Sequence, residues 1–469
     1  MSKSTALSAQ TPSEPARALD QHEEEQLALI NTFVATVRHL FGGLTQLFSS
    51  IDDPRHPAFT VYPLESVCFA GVLMFLCRLG SRRQLNNLLR GNGPSGDKFQ
   101  ALFGVETCPH GDTANVLFSR LPSDEAQEVV CYMIESLIRK KMLYPFRLLD
   151  RYFMIAIDGT GRIVFRKRHC EHCLTRTSHG KTIYYHPVLE AKLVTSNGFA
   201  FSIMTEFIEN PGQNPTKQDC ELKAFYRLAA RLKKRFPRLP LCLLLDGLFA
   251  GGPTFALCKK HRWKYFVVLQ DDDLSSVHEE FELLLPLASE NYLRFFTGVQ
   301  SEIRQDFYWM NDISYVDSER REHTIAVIEC LETRTDTHKN PKTTRFKWIT
   351  NCNVKRNNVI TLTNQGGRLR WKIENEGFNV QKNGGYGLEH AYTRNATASK
   401  VFYYLLQVAH IVAQLIEHGS LFRNAFPSGV GSAKNIAFRL LEAWRNFRLT
   451  DEQLHHILSV RVQIRFKPP

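Results

Sequence analysis

The segment LPLCLLLDGLF, Leu239–Phe249, decides the fold class of this chain. It is a short apolar run that ends in Asp246 and is followed at once by Gly247. A run of this length beside turn-forming residues is typical of a strand buried on both faces. The segment FMIAIDG, Phe153–Gly159, has the same form and ends in Asp158. Two buried strands that each end in Asp-Gly predict an α/β sheet with carboxylates at the strand ends, where ligand sites form.

The elements around these strands predict a mixed sheet. HPVLEAKLV and FAFSIMTEF flank Ser196-Asn197-Gly198, and Asn-Gly between apolar runs is a strong hairpin signal. Helical patterns over Lys217–Phe236 and Pro253–His261 separate the strand before Asp246 from its neighbours. We therefore expect antiparallel pairing first and parallel crossovers later. This order matches an α/β fold with a ribonuclease H-like mixed sheet core.

The chain divides into six predicted segments. A polar lead-in that we expect to be disordered is followed by a helical region, for which DNA binding and a plain helical bundle are both open. The core is then interrupted by a β-rich insertion, resumes, and ends in a helical C-terminal region. The predicted boundaries are 1–25 for the lead-in, 26–150 for the helical region, 151–272 for the first part of the core, 273–365 for the insertion, 366–420 for the continued core and 421–469 for the C-terminal region.

Composition and charge narrow the class of protein. The 469 residues carry 59 Lys+Arg against 47 Asp+Glu, and the net charge of +12 suits a polyanionic partner such as nucleic acid without identifying one. The apolar run Ser66–Cys77 is shorter than the roughly 20 residues of a membrane span, and Val401–Ile416 contains polar residues that favour a buried core helix. The 11 scattered cysteines and the polar N-terminus predict a reducing cytoplasm.

The charged segment GGRLRWKIENEGF, Gly366–Phe378, is open to two interpretations. On a helix, Arg370 and Glu374 share one face, so a guanidinium lies beside a carboxylate. Lys372 and Glu376 form a second such pair on another face, which also fits an ordinary solvated helix. Taken alone, the segment does not decide between a site and a surface.

Phosphodiester chemistry gives the three carboxylates Asp158, Asp246 and Glu374 a common purpose. Two metal ions about 3.5–4 Å apart activate an attacking oxygen and stabilise a leaving oxygen, and Mg²⁺ prefers oxygen ligands. For each Asp alone, the start of a turn is the alternative explanation. Trp371 and Phe378, seven residues apart, are expected to anchor the Glu374 helix to the core.

Asp158-Gly159, Leu245-Asp246-Gly247 and RLRWKIENEGFNVQK (Arg368–Lys382) together resemble the DDE transposases of bacterial insertion sequences. The resemblance is to the fourth insertion-sequence family and its relatives with a Tyr-Arg-Glu-Lys signature, and it covers roughly residues 110–420. It implies a DNA transposase that cleaves element ends and transfers strands by attack of a 3′ hydroxyl. Asp158, Asp246 and Glu374 would be catalytic and would bind two Mg²⁺, with Mn²⁺ as a substitute.

The chain departs from that signature at two positions. Gly367 stands where the family has Tyr, and Gln381 stands seven residues after Glu374, where the family has Lys. Lys382 follows one residue later, so either the helix contains a one-residue bulge or the role of the lysine has moved.

The resemblance also implies partners and contacts. Double-stranded DNA, both element ends and target, would be bound by a homodimer in the bacterial cytoplasm, associated with the nucleoid and not with a membrane. Arg370 and Lys382 would contact phosphate, and Trp348, with Trp309 as a second candidate, would stack on a flipped base unless each is a buried strand residue. A catalytically silent DNA-binding relative and a metal-dependent nuclease without strand transfer are the alternatives.

Three further groups of polar residues are candidates for binding DNA or metal ions, and each also has an ordinary structural explanation. Arg166, Lys167 and Arg168 suit DNA phosphates, although a solvated charge cluster explains them equally well. Cys170 and Cys173 in HCEHC, with His179 and His186 nearby, fit either a zinc site or a polar loop. Asp219 and Glu221 are explained as helix-dipole partners. Asp271–Asp273 could compete as metal ligands, but three aspartates in a row favour a loop.

Overall fold

The structure, a computed structural model, describes residues 18–212, 216–299, 302–335 and 341–467. Most of the predicted disordered lead-in, 1–25, lies outside these residues. Its last part was predicted wrongly, because a helix begins at Gln21. Asp20 caps this helix, and Glu23 completes a capping box by accepting from the backbone N–H of Asp20 at 3.0 Å.

The N-terminal region is helical, as predicted. Its longer helices have mostly apolar buried faces, and Pro and Gly residues separate them. The helices are α1 (Gln21–Phe41), α2 (Leu44–Phe48), α3 (Leu64–Leu76), α4 (Arg82–Leu89), α5 (Pro94–Phe103), α6 (Gly111–Phe118) and α7 (Ser123–Arg139).

The central part alternates strands and helices. The elements are β1 (Phe153–Phe165), β2 (Leu174–Ser178), β3 (Lys181–Val194), β4 (Ala200–Phe207), α8 (Glu221–Arg235), β5 (Leu241–Leu245), α9 (Gly252–His261) and β6 (Lys264–Val268). β1 pairs antiparallel with β3, and β3 with β4, whereas β1 pairs parallel with β5, and β5 with β6. The predicted change from antiparallel to parallel pairing is confirmed, and the fold is mixed α/β with a mixed sheet.

The β-rich insertion extends the same sheet. It contains α10 (Ser275–Leu284), β7 (Tyr292–Thr297), β8 (Ile303–Val316), β9 (Glu322–Arg334), β10 (Lys342–Thr350) and α11 (Val359–Asn364). β10 pairs antiparallel with β6, and the described sheet runs β2-β3-β1-β5-β6-β10-β9-β8-β7, with β4 paired to β3. The strands of the insertion are therefore hydrogen-bonded to the core.

The C-terminal part is helical and completes the core. It contains α12 (Val380–Asn383), α13 (Ala396–His418), α14 (Ser420–Ala425), α15 (Ala433–Asn446) and α16 (Asp451–Ser459). α13 packs against α3 and α7, and α15 packs against α1, so both ends of the chain share one hydrophobic core. Among the described helices, α13 alone is long and apolar enough to cross a membrane, and 89% of its apolar window is buried inside the protein.

The two faces of the sheet are covered differently. Side chains alternate between faces along a strand, so Ile155 and Ile157 join the large core formed with the terminal helices. Met154 and Ala156 belong to a second core on the opposite face, which includes Leu369 and Phe378. The segment that carries Arg370 and Glu374 therefore packs on the Met154 face.

Candidate active site

Strand alternation brings the two aspartates to one face of the sheet. Asp158 follows Met154 and Ala156 at even spacing in β1, and Asp246 follows Cys242 and Leu244 at the same spacing in and after β5. β1 and β5 are parallel neighbours, with Ala156 opposite Leu244. Both carboxylates consequently lie two residues beyond the last pair of β1 and β5, on the side where Leu369 packs. β1 continues to Phe165, so the prediction that this strand ends in Asp158 is wrong.

Local backbone contacts orient both carboxylates. The backbone N–H of Gly159 donates to Asp158 Oδ1 at 2.8 Å, and that of Leu248 donates to Asp246 Oδ1 at 3.1 Å. The other oxygen of Asp158, Oδ2, lies 3.5 Å from Arg370 Nη1. The two glycines differ in setting, because Gly159 lies within β1 whereas Gly247 begins a 3₁₀ turn over Gly247–Phe249.

The third carboxylate stands on a helical segment with irregular geometry. A 3₁₀ turn spans Gly367–Arg370, and a π-helix spans Ile373–Asn379. The regular α-helix predicted for this segment is therefore wrong. Buried Ile373 and Phe378 hold it against the sheet, while Glu374 is exposed toward solvent. π-helical turns contain an additional residue and occur often at functional sites.

Electrostatics join the three carboxylates into one site. Burial is the main cause that raises the pKa of Asp158 to about 6; Arg370 opposes this rise, and the charges of Asp246 and Glu374 add to it. Burial likewise raises the pKa of Asp246, against the opposing charge of Arg370. Asp158, Asp246 and Glu374, predicted as one site, are therefore near enough for each charge to act on Asp158.

Arg370 is the cation of this site. Its side chain is 10% exposed, its Nη1 faces Asp158, and its guanidinium lies 4.5 Å from the ring centre of Trp371. Its buried Nε has no hydrogen-bond partner among the described residues. An Arg fork with an unused donor suits an incoming phosphate oxygen.

Two further carboxylates lie at this site, Glu221 and Asp273, for which the sequence favoured a helix-dipole partner and a loop residue. Glu221, at the start of α8, places its carboxylate where a Cβ on Gly159 would stand, with Oε1 2.2 Å from that position. Burial raises the pKa of Glu221, and Asp158 and Asp246 add to the rise. Asp273 similarly occupies the space above Gly247. Each Asp-Gly pair therefore makes room for a second carboxylate.

The π-helix resolves the position of the signature lysine. Gln381 is fully buried and donates to Gln407 Oε1 at 2.8 Å, so it belongs to the core. Lys382 instead lines a cleft with Gly159 and Glu221. The π-helix Ile373–Asn379 contains Glu374 and ends before Lys382, so the one-residue bulge considered from the sequence is present. Lys382 Nζ forms an ion pair with Glu389 at 3.0 Å.

Two pairs of residues were predicted on this segment, Lys372 with Glu376 as an ion pair and Trp371 with Phe378 as anchors. Lys372 Nζ donates to Glu376 Oε1 at 2.9 Å, which confirms the predicted second ion pair. Phe378 is buried and anchors the segment, as predicted, but Trp371 is 48% exposed, so its predicted role as an anchor is wrong. The irregular turn directs Trp371 outward, where its ring lies against Arg370.

The insertion tryptophans are strand core residues. Trp348 in β10 and Trp309 in β8 are 3% and 2% exposed. A Cβ on Gly367 would lie 3.0 Å from the Trp348 indole, so Gly367 leaves room for this ring where the signature has Tyr. The buried-strand interpretation of both tryptophans therefore holds in this structure, and neither ring is accessible to a nucleic-acid base.

Basic side chains surround the cleft beside Gly159. Arg162, Arg176 and Lys382 line it together with Glu221. The predicted contact residues Arg166, Lys167 and Arg168 are exposed on the connection between β1 and β2. These positions leave the phosphate-binding interpretation and the solvated one both open.

The donor set fits Mg²⁺. Asp158, Asp246, Glu374 and Glu221 offer hard oxygen ligands. Burial is the main cause of the raised pKa values of Asp158, Asp246 and Glu221, and neighbouring carboxylates add to each rise. In the described part of the chain, only Cys170, Cys173 and His186 form a group of at least three Cys, His, Asp or Glu ligands within 4.8 Å of one another. The carboxylates are spread more widely, as a two-ion site allows.

A scan of protein-family models finds no match to this chain, and a search of curated proteins finds no significant one.

Proposed function

We propose that the chain is a DDE-type DNA transposase with a ribonuclease H-like core. One observation carries the proposal: Asp158, Asp246 and Glu374, far apart in the sequence, converge at one end of the sheet, where Asp246 and Glu374 both act on the pKa of Asp158. The order of antiparallel and then parallel strands agrees with the resemblance described above.

The acidic residues would hold the metal. Asp158, Asp246 and Glu374 would bind two Mg²⁺, which when bound would activate the attacking oxygen and stabilise the leaving oxygen of a phosphodiester. Arg370, whose guanidinium faces Asp158, would bind a nonbridging phosphate oxygen and orient the DNA backbone. Glu221 would add negative charge beside Asp158.

The basic side chains would position double-stranded DNA. Lys382, in the cleft beside Gly159, would contact backbone phosphate after release from Glu389. Arg166, Lys167 and Arg168, exposed near this cleft, would add nonspecific affinity. Two copies of the chain on two DNA ends, in the bacterial cytoplasm, complete the proposal.

The test uses full-length protein and a labelled duplex containing the DNA that flanks the coding sequence. With Mg²⁺, we expect nicked products and then products joined to a target duplex, and Asp158→Ala should abolish both while leaving binding largely intact. Nicking without joining would indicate a nuclease. Binding without cleavage would indicate a silent relative, and cleavage by Asp158→Ala would mean that other carboxylates act.

A further inference from the structure

The connection between β1 and β2 brings three soft ligands together. Cys173 Sγ lies 3.2 Å from His186 Nε2, Cys170 Sγ lies 3.3 Å from the same nitrogen, and the two sulfur atoms are 3.6 Å apart. Cys173 and His186 are buried and Cys170 is half-buried. These three residues are called the Cys/His cluster below.

The spacing fits a tetrahedral zinc ion. Zn–S bonds of about 2.3 Å and Zn–N bonds of about 2.0 Å at tetrahedral angles separate two sulfurs by roughly 3.8 Å and sulfur from nitrogen by roughly 3.5 Å. The three observed distances lie within a few tenths of an ångström of these values. A disulfide would need sulfurs about 2.0 Å apart, so Cys170 and Cys173 are separate thiols.

The fold holds the ligands in place without the metal. His186 is fixed in β3 by its register with Ile163 of β1. Asn210 Nδ2 donates to the Cys173 carbonyl at 2.9 Å, and the Asn210 backbone N–H donates to the His172 carbonyl at 3.1 Å. The ligands are therefore arranged by the sheet and by the segment after β4.

We propose that Cys170, Cys173 and His186 bind one Zn²⁺, with water as the fourth ligand. Zinc would join the β1–β2 connection to β3 and thereby fix the exposed residues Arg166, Lys167 and Arg168 beside the cleft. The proposal stands whether or not the chain cleaves DNA.

Zinc content is the direct test. Full-length protein purified under reducing conditions is expected to contain one zinc per chain by elemental mass spectrometry. Cys173→Ser and His186→Ala should each lose most of it, whereas Cys220→Ser, which alters an exposed cysteine outside the cluster, should retain it. Retention of zinc by both cluster variants would overturn the assignment. So would wild-type protein that remains zinc-free after dialysis against Zn²⁺.

Two further measurements cover variants that fail to fold. Co²⁺ added to metal-depleted wild-type protein should give the intense sulfur-to-cobalt charge-transfer band of a tetrahedral thiolate site, and its absence would overturn the proposal. Trypsin should cut after Arg166, Lys167 or Arg168 faster once zinc is removed. Thiol-blocked, freshly purified protein with a Cys170–Cys173 disulfide would instead identify a redox pair.

Discussion

The Cys/His cluster and the acidic site, formed by Asp158, Asp246, Glu374, Glu221 and Arg370, both depend on the β1–β3 strand pair. They differ in charge. The acidic site collects carboxylates, and burial together with the charges of Asp246 and Glu374 raises the pKa of Asp158. The cluster collects two thiols and an imidazole whose pKa is lowered.

Because their ligand atoms differ, the two groups of side chains would bind different classes of cation. Mg²⁺ takes hard oxygen ligands, and it would relieve repulsion that already exists in the folded protein. Zn²⁺ takes sulfur and nitrogen ligands, and its binding would displace protons from the thiols of the Cys/His cluster. Loss of Mg²⁺ should therefore leave excess negative charge among the carboxylates, whereas loss of Zn²⁺ should release the β1–β2 connection.

The strongest test of this contrast separates the two glutamates of the π-helix. Glu374→Gln should reduce Mg²⁺-dependent cleavage at least about 10³-fold, comparable with loss of a transition-state electrostatic group. Glu376→Gln, which alters the partner of Lys372, should remain within a few-fold of wild type. Single-turnover cleavage rates measure both. Zinc content should be unchanged in each variant, and a drop in Glu374→Gln would show that the two sites are coupled.

Replacing Arg370 tests how its positive charge affects cleavage and the pKa of Asp158. Arg370→Gln should reduce cleavage by about 10–100-fold, in the range for residues that support metal ligands. Because Arg370 lowers the pKa of Asp158, its loss should move that pKa above about 6 and shift the acidic limb of the rate profile to higher pH. Arg370→Lys keeps the charge and should keep the limb near its wild-type position. An unshifted limb in Arg370→Gln would contradict the assignment of that limb to Asp158.

Metal-free stability should show the excess charge directly. The folded-state pKa of Asp158 is about 6 against 3.8 unfolded, so the protonated form favours folding and this contribution is lost as pH rises through about 6. Asp158→Asn should therefore be more stable than wild type at pH 7 by up to about 3 kcal/mol, less whatever its contact with Arg370 contributes.

Urea unfolding in the presence of a chelator measures this difference. The advantage of Asp158→Asn should shrink between pH 7 and pH 5, and added Mg²⁺ should stabilise wild type alone. A variant less stable than wild type at pH 7 would mean that the ion pair with Arg370 outweighs burial.

The smallest expected effect concerns the phosphate contacts. Lys382→Ala should weaken DNA binding several-fold and lower the slope of log K against log salt by about 1. Lys372→Ala removes a lysine held by Glu376 on the same segment and is the matched control. Equal slopes for both variants would place Lys382 away from DNA.

The apolar strands and their order were predictable because burial on both faces leaves a continuous apolar run. β2, with the sequence LTRTS, was not predictable, since it is a polar edge strand held by pairing with β3. β7 is likewise an edge strand, stabilised by its pairing with β8. Tertiary pairing, not local preference, decides such strands.

Two features of the site were beyond sequence periodicity. The π-helix at Ile373–Asn379 has no pattern of its own, and only the displaced lysine suggested it. Glu221 comes to Gly159 because α8 crosses back over the sheet, a contact between elements that local patterns do not encode. The three main carboxylates were proposed because their residue types suit a shared chemistry and their surroundings resemble a known family.

The continuity of the sheet has a consequence for protein engineering. β10 is the neighbour of β6, and Trp348 on β10 fills the space that Gly367 leaves open. Exchanging the insertion between homologous proteins would therefore remove β10, the neighbour of β6. It would also remove Trp348, against which the segment that bears Glu374 packs. A working chimera would have to transfer β6, the insertion and the residues around Gly367 as one block.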